Sequence, residues 1–189
     1  MSLVTRHSSP LITFMDLEKL YADRKTAILN KWFDLTIETY PEETARFLKN
    51  KKNRFANPVG YILSQEIEPV LDGLFKGVDL ETLRPFLENI IRIRAVQDLS
   101  ASQALAFIFL LKQVFREELE QEIQESRAGR DLLALESRID AVALLAFDIF
   151  MKCREKIYDL KANEINNRTV RLLRRAKLVV EEPAEAGPA

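Results

Sequence analysis

From Asp131 to Glu182 the chain contains neither glycine nor proline, and the first helix breaker is Pro183. A stretch this long without a breaker has one economical solution, an extended α-helix. Leu135, Ile139, Val142, Ala146, Ile149, Cys153 and Leu160 recur along it at alternating spacings of four and three, with Lys156 as the one interruption. Beside them runs a second seam, Leu133, Leu144, Phe147, Met151 and Tyr158. Two adjacent seams equip a helix to pack on two sides, against its own bundle and against a second subunit. Continuous to Arg175, it would be on the order of 65 Å long at 1.5 Å per residue, more than a domain of this size needs. Its end is therefore expected to protrude.

The rest of the chain reads as shorter helices. Leu17, Leu20, Tyr21, Ile28, Trp32, Leu35 and Thr39 keep helical spacing from Asp16 until Pro41 interrupts it. A short helix over Glu42–Lys49 leads to the basic stretch Lys49–Arg54, expected as an exposed loop. Asn57-Pro58 is a helix start, an N-cap followed by proline at the first position, and a kink is expected at Pro69. Asp79 is placed to cap the next helix, predicted to run to Asp98. Ser100 and Gln103 fit a capping box, in which serine and glutamine satisfy each other's free backbone donors. Behind them Ala104–Leu111 is apolar on every side, which predicts a helix at the centre of a bundle, with its acidic far end (Glu117, Glu118, Glu120, Glu122, Glu125) in water. Only five glycines occur in 189 residues, so tight hairpins and backbone phosphate cradles have few sites. No strand-like alternation and no internal repeat is visible. The fold class is all-α, one domain over residues 16–178 with a long carboxy-terminal helix, a flexible arm at 1–15 and a disordered tail at 179–189.

Several function classes lose their chemistry at this level. His7, the single histidine, falls in the arm, which removes histidine-based general-base, haem and zinc schemes from the body. No Glu-x-x-His pair exists to build a di-iron bundle. Cys153 is the single cysteine and lies on an apolar seam, where it reads as packing. No intrachain disulfide can form, and a reducing cytoplasm is the expected compartment. The longest apolar run, eight residues, is too short to span a bilayer as a helix, which needs about 20. With a net charge of -1, no global field favours nucleic acid. No catalytic, metal or cofactor residues are assigned, and a non-enzyme is expected.

Four features leave alternatives open. Asp140 and Asp148 interrupt an apolar stretch and would either line a polar ligand site or solvate a helix face, with Asp148 paired to Lys152. Arg92 and Arg94 alternate with aliphatic residues that a helix must partly bury. Each would snorkel to water, pair with Asp98, Asp140 or Asp148, or bind an anion or partner. A candidate ligand or partner pocket accordingly gathers Trp32, Phe107 and Phe147 with Arg92, Arg94 and Asp148. Arg168, Arg171, Arg174, Arg175 and Lys177 crowd the end of the last helix. They would complement its dipole, or meet an acidic partner or an anionic membrane surface.

Several segments together resemble the amino-terminal domain of the RsbRD-type co-antagonists of the kinase RsbT. They are Arg54–Gly60, Ile91–Asp98, Ser102-Gln103-Ala104 with the apolar helix behind it, and Ile139–Val142 through Phe147-Asp148 to Cys153–Tyr158. The likeness covers residues 16–167. It implies a helical sensor module in bacterial stress signalling, globin-like in fold, without haem, and usually dimeric. In that family the last helix leads into a STAS domain that joins a stressosome-like assembly; here only a short tail follows Arg175, so a stand-alone domain is expected. Stand-alone versions resemble proteins encoded beside electron-transfer genes in sulfate-reducing bacteria, which implies a signalling or redox-complex partner. The reading is a homodimeric sensor or adaptor. Its rivals are a purely structural adaptor within a protein complex and a sensor of haem or another small molecule.

Overall fold

The computed structural model describes residues 14–49, 55–97, 99–120, 129–176 and 178. The predicted flexible arm up to residue 13, most of the basic loop, the tail from 179, His7, Asp98, Glu122, Glu125 and Lys177 lie outside the described residues. Six α-helices are described: α1 (Phe14–Glu38), α2 (Glu42–Leu48), α3 (Pro58–Phe75), α4 (Leu80–Val96), α5 (Ala101–Glu118) and α6 (Gly129–Arg175). No strand occurs among the described residues. The chain is all-α, with a carboxy-terminal helix of 47 residues. It divides into two units, Met1–Phe150 and Met151–Ala189, and α6 contributes to both.

In the first unit α1 packs on α3 and α5, α3 on α4, and α4 on α5, while α2 bridges α1 and α3. Asn57 makes the turn into α3. Its carboxamide oxygen accepts from the Gly60 N–H at 2.9 Å, and its nitrogen donates to the Phe47 and Leu48 carbonyls at 3.1 and 3.0 Å. One side chain thus caps the start of α3 and closes the end of α2. Gly60 is required there, because a Cβ would stand 2.3 Å from the Leu48 carbonyl oxygen. Gly73 plays the matching part between α3 and α4, where a Cβ would come within 2.2 Å of Leu83.

The capping box at the head of α5 is present, with Ser100 and Gln103 bonded reciprocally. Asp79 occupies the N-cap of α4 but makes no side-chain capping bond, and the helix ends at Val96. Along α6 the first predicted seam is buried from Leu135 to Ile149. Cys153 is half-buried and Leu160 exposed, so that seam is covered only in the first unit. Ion pairs fasten this part of α6 to α5: Arg116 clasps Glu136 with two bonds of 2.7 and 2.9 Å, and Lys112 meets Asp140 at 2.6 Å.

Two expectations for α5 need correcting. The helix is not enclosed on every side, since Phe109 is 49% exposed and Ala106 and Leu110 are half-buried. Its acidic end is not simply solvated either. Glu117 and Glu118 grip Lys31 of α1 at 2.9 and 2.8 Å, a pairing across 86 and 87 positions that local pattern cannot show.

Candidate functional site

Arg94 lies on the buried face of α4 with Leu87, Ile90 and Ile91, and is itself only 1% exposed. A guanidinium so placed must use its donors, because leaving them unpaired would cost more than the bonds gain. Nε donates to the Ala104 carbonyl at 2.8 Å, Nη1 to the Tyr40 hydroxyl at 2.9 Å, and Nη2 to Thr39 Oγ1 and the Gln103 carbonyl, both at 3.0 Å. The charge also sits over two aromatic faces, 4.8 Å from the Tyr40 ring centre and 5.4 Å from that of Phe107. Burial pushes the guanidinium below its ordinary value, and Tyr40 partly offsets this.

Trp32 completes the cluster. It is fully buried, stacks on Phe107 at 6.1 Å, and donates its indole N–H to the Phe107 carbonyl at 2.7 Å. Three of the six candidate pocket residues, Trp32, Arg94 and Phe107, therefore meet, and they form a packed knot joining α1, α4 and α5. Among the described residues Arg94 bonds carbonyls and hydroxyls and no acid: Asp140 is held by Lys112, Asp148 is exposed, and Asp98 lies outside the described residues. Arg92 is exposed, since two residues on a helix turn through about 200° and cannot share a face with Arg94.

Phe147 stands elsewhere. It is 43% exposed and closes an open groove of about 700 Å³ with Ala101, Leu105, Ala106, Phe109 and Leu110. Ser102 and Gln113 supply the polar rim. Leu144, one turn before Phe147 on α6, is 70% exposed. The uncovered side of α5 and the part of the second seam at Leu144 and Phe147 thus make one apolar surface within the first unit.

A family model described as the RsbT co-antagonist protein rsbRD N-terminal domain matches residues 26–165. The chain belongs to this family. Membership supports a signalling domain of sensor type. No curated protein and no solved structure matches the chain.

The chain also carries a polar network that sequence reasoning missed. The Tyr21 hydroxyl donates to Asp72 at 2.5 Å, Lys25 reaches Asp72 at 2.8 Å and Glu68 at 2.7 Å, and the Tyr21 ring stacks on Phe75 at 3.8 Å. Burial and then the Asp72 bond drive the Tyr21 hydroxyl far above its ordinary value. For Asp72 burial acts upward, but the Lys25 and Tyr21 bonds outweigh it and hold the carboxyl low. Helical spacing brought Tyr21 and Lys25 to one face; only the fold brings Asp72 to them.

In the second unit Arg168, Arg171, Arg174 and Arg175 are all exposed, and Arg168, Arg171 and Arg175 line a shallow cleft of about 260 Å³ with Leu172. Among the described residues no group of three or more histidine, cysteine or acidic side chains is placed to hold a metal ion. None of the described helices is long and apolar enough to cross a membrane.

Proposed function

We propose that this RsbRD-type domain is a non-catalytic cytoplasmic sensor or adaptor that works as a homodimer and reports through the disposition of α6. The observation that carries the reading is the uncovered apolar surface of Phe109, Leu144 and Phe147. Contiguous exposed apolar area of this kind marks an interaction site. A second copy suits it, because a two-fold axis would set each groove against the same groove and cover both at once.

The second unit offers independent support. Met151, Tyr158, Ile165 and Leu172 are exposed and fall at every seventh position, with Ala162, Thr169 and Ala176 four residues after the last three. That is the heptad register of a parallel two-stranded coiled coil. Arg154 of one copy would then face Asp159 of the other, whereas an antiparallel pair would oppose Arg154, Lys161, Arg168 and Arg175 to one another.

Analytical ultracentrifugation across a concentration series tests the dimer. The expected result is a reversible dimer that Phe109→Asp converts to a monomer with unchanged helical circular dichroism. A wild-type chain that stays monomeric into the high micromolar range sinks the reading. The groove volume also lies within the range for small ligands, about 300–1,000 Å³. Native mass spectrometry separates the two uses, since a monomer carrying added mass that Phe109→Asp abolishes would assign the groove to a small molecule.

A further inference from the structure

The end of α6 holds a charge arrangement that neither the bundle nor the dimer uses. From Ile165 to Leu178 the sequence has five basic residues and no acid. Arg168 bonds Glu164 at 2.6 Å and Arg171 Nε bonds the Asn167 carbonyl at 3.3 Å; Arg174 and Arg175 have no ion-pair partner among the described residues. The helix dipole rewards cations in the last turn, but its effect fades within that turn. Arg168 and Arg171 lie before it. Arg168, Arg171 and Arg175 follow the i, i+3, i+7 spacing of a single helix face, so three guanidinium groups line a strip that rises about 10.5 Å, with Leu172 at its edge.

We infer that this face docks an acidic helix of a partner protein, with carboxylates at matching spacing. All four described cations are arginines, whose planar donor fork suits paired bonds to carboxylates. Leu172 and Leu173 are exposed but adjacent, hence about 100° apart on the helix, and do not make the broad apolar face that a helix lying on a bilayer needs. A nucleic acid is disfavoured by charge. The whole chain is -1 with this segment included, so the remainder is net acidic and repels a polyanion. Leu172 also belongs to the heptad seam, which Arg168 and Arg175 flank, so a paired α6 leaves the guanidinium groups rather than Leu172 for the acidic helix.

The test is fluorescence anisotropy on the full chain, with a labelled helical peptide carrying glutamate at i, i+3 and i+7. The peptide is expected to bind more weakly as salt rises, and Arg171→Glu with Arg175→Glu should cut affinity at least tenfold. Lys152→Glu, on the same helix but off this strip, should change it less than threefold. Glu181, Glu182 and Glu185 follow closely in sequence and could occupy the strip themselves, so a variant with all three changed to glutamine is titrated in parallel and should bind at least as tightly. Failure of both chains to bind overturns the inference. So does an equal loss with Lys152→Glu. Binding of phosphatidylglycerol vesicles or duplex DNA by a chain that ignores the peptide would overturn it in favour of those surfaces.

Discussion

Arg94, open in the sequence between a structural and a ligand role, is surrounded in the fold by bonds to carbonyls and hydroxyls. Its alternation with aliphatic neighbours was visible in the sequence and placed it at the edge of the core. Its partners were not visible, because Tyr40 and Thr39 lie 54 and 55 positions away and the two carbonyls have no side-chain signature. The same blindness hid Asp72 from Tyr21 and Lys31 from Glu118, pairs 51 and 87 positions apart along the chain. Arg94→Lys keeps the charge but cannot reproduce four bonds radiating from one plane. It should cost about 3 kcal/mol, since carbonyls and hydroxyls are left without donors in a buried site. Urea denaturation would measure this, and a loss within 1 kcal/mol would mean that water fills the gap.

At the level of elements, the legible features were those closed within one turn of chain. Asn57-Pro58 and Ser100–Gln103 were read correctly because capping is local chemistry, and the α6 seam because its period belongs to one helix. Asp79 holds the cap position without the bond, which shows that residue type permits a cap and does not enforce one. The two true caps carry different loads. Ser100 is exposed and serves α5 alone, so Ser100→Ala should cost about 1 kcal/mol. Asn57 is buried and also closes the end of α2, so Asn57→Ala should cost about 3 kcal/mol. Thermal melts of the two variants should rank them in that order, and equal losses would mean that the carbonyls of α2 find other donors.

For the whole molecule, the division of the chain at Phe150 separates two kinds of helix. Before it, α6 buries Leu135, Ile139, Val142 and Ala146; from Glu155 to Arg175 nearly every side chain is exposed. A helical segment without tertiary cover is marginal in water. Hydrogen exchange should therefore be fast over residues 159–175 in dilute protein and slow over 104–115, with the first stretch gaining protection as concentration rises. Uniform protection at every concentration would contradict this. The expectation that α6 continues past the bundle was readable from the missing breakers. Which of its two seams would stay uncovered was not, because both are equally apolar and only the packing of α5 decides between them.

Trp32 is the chain's one indole, and its position gives the protein an optical gauge of its own. The ring touches the α5 backbone through its N–H and the Phe107 ring through its face. Any event that slides α1 along α5, whether a partner seated at the groove or a strain carried from α6, must break that bond or tilt that stack. The emission colour of a single buried fluorophore then registers the movement without a label. A chain that relays signals by shifting its helices would carry the instrument for reading its own state at the joint where α1 meets α5.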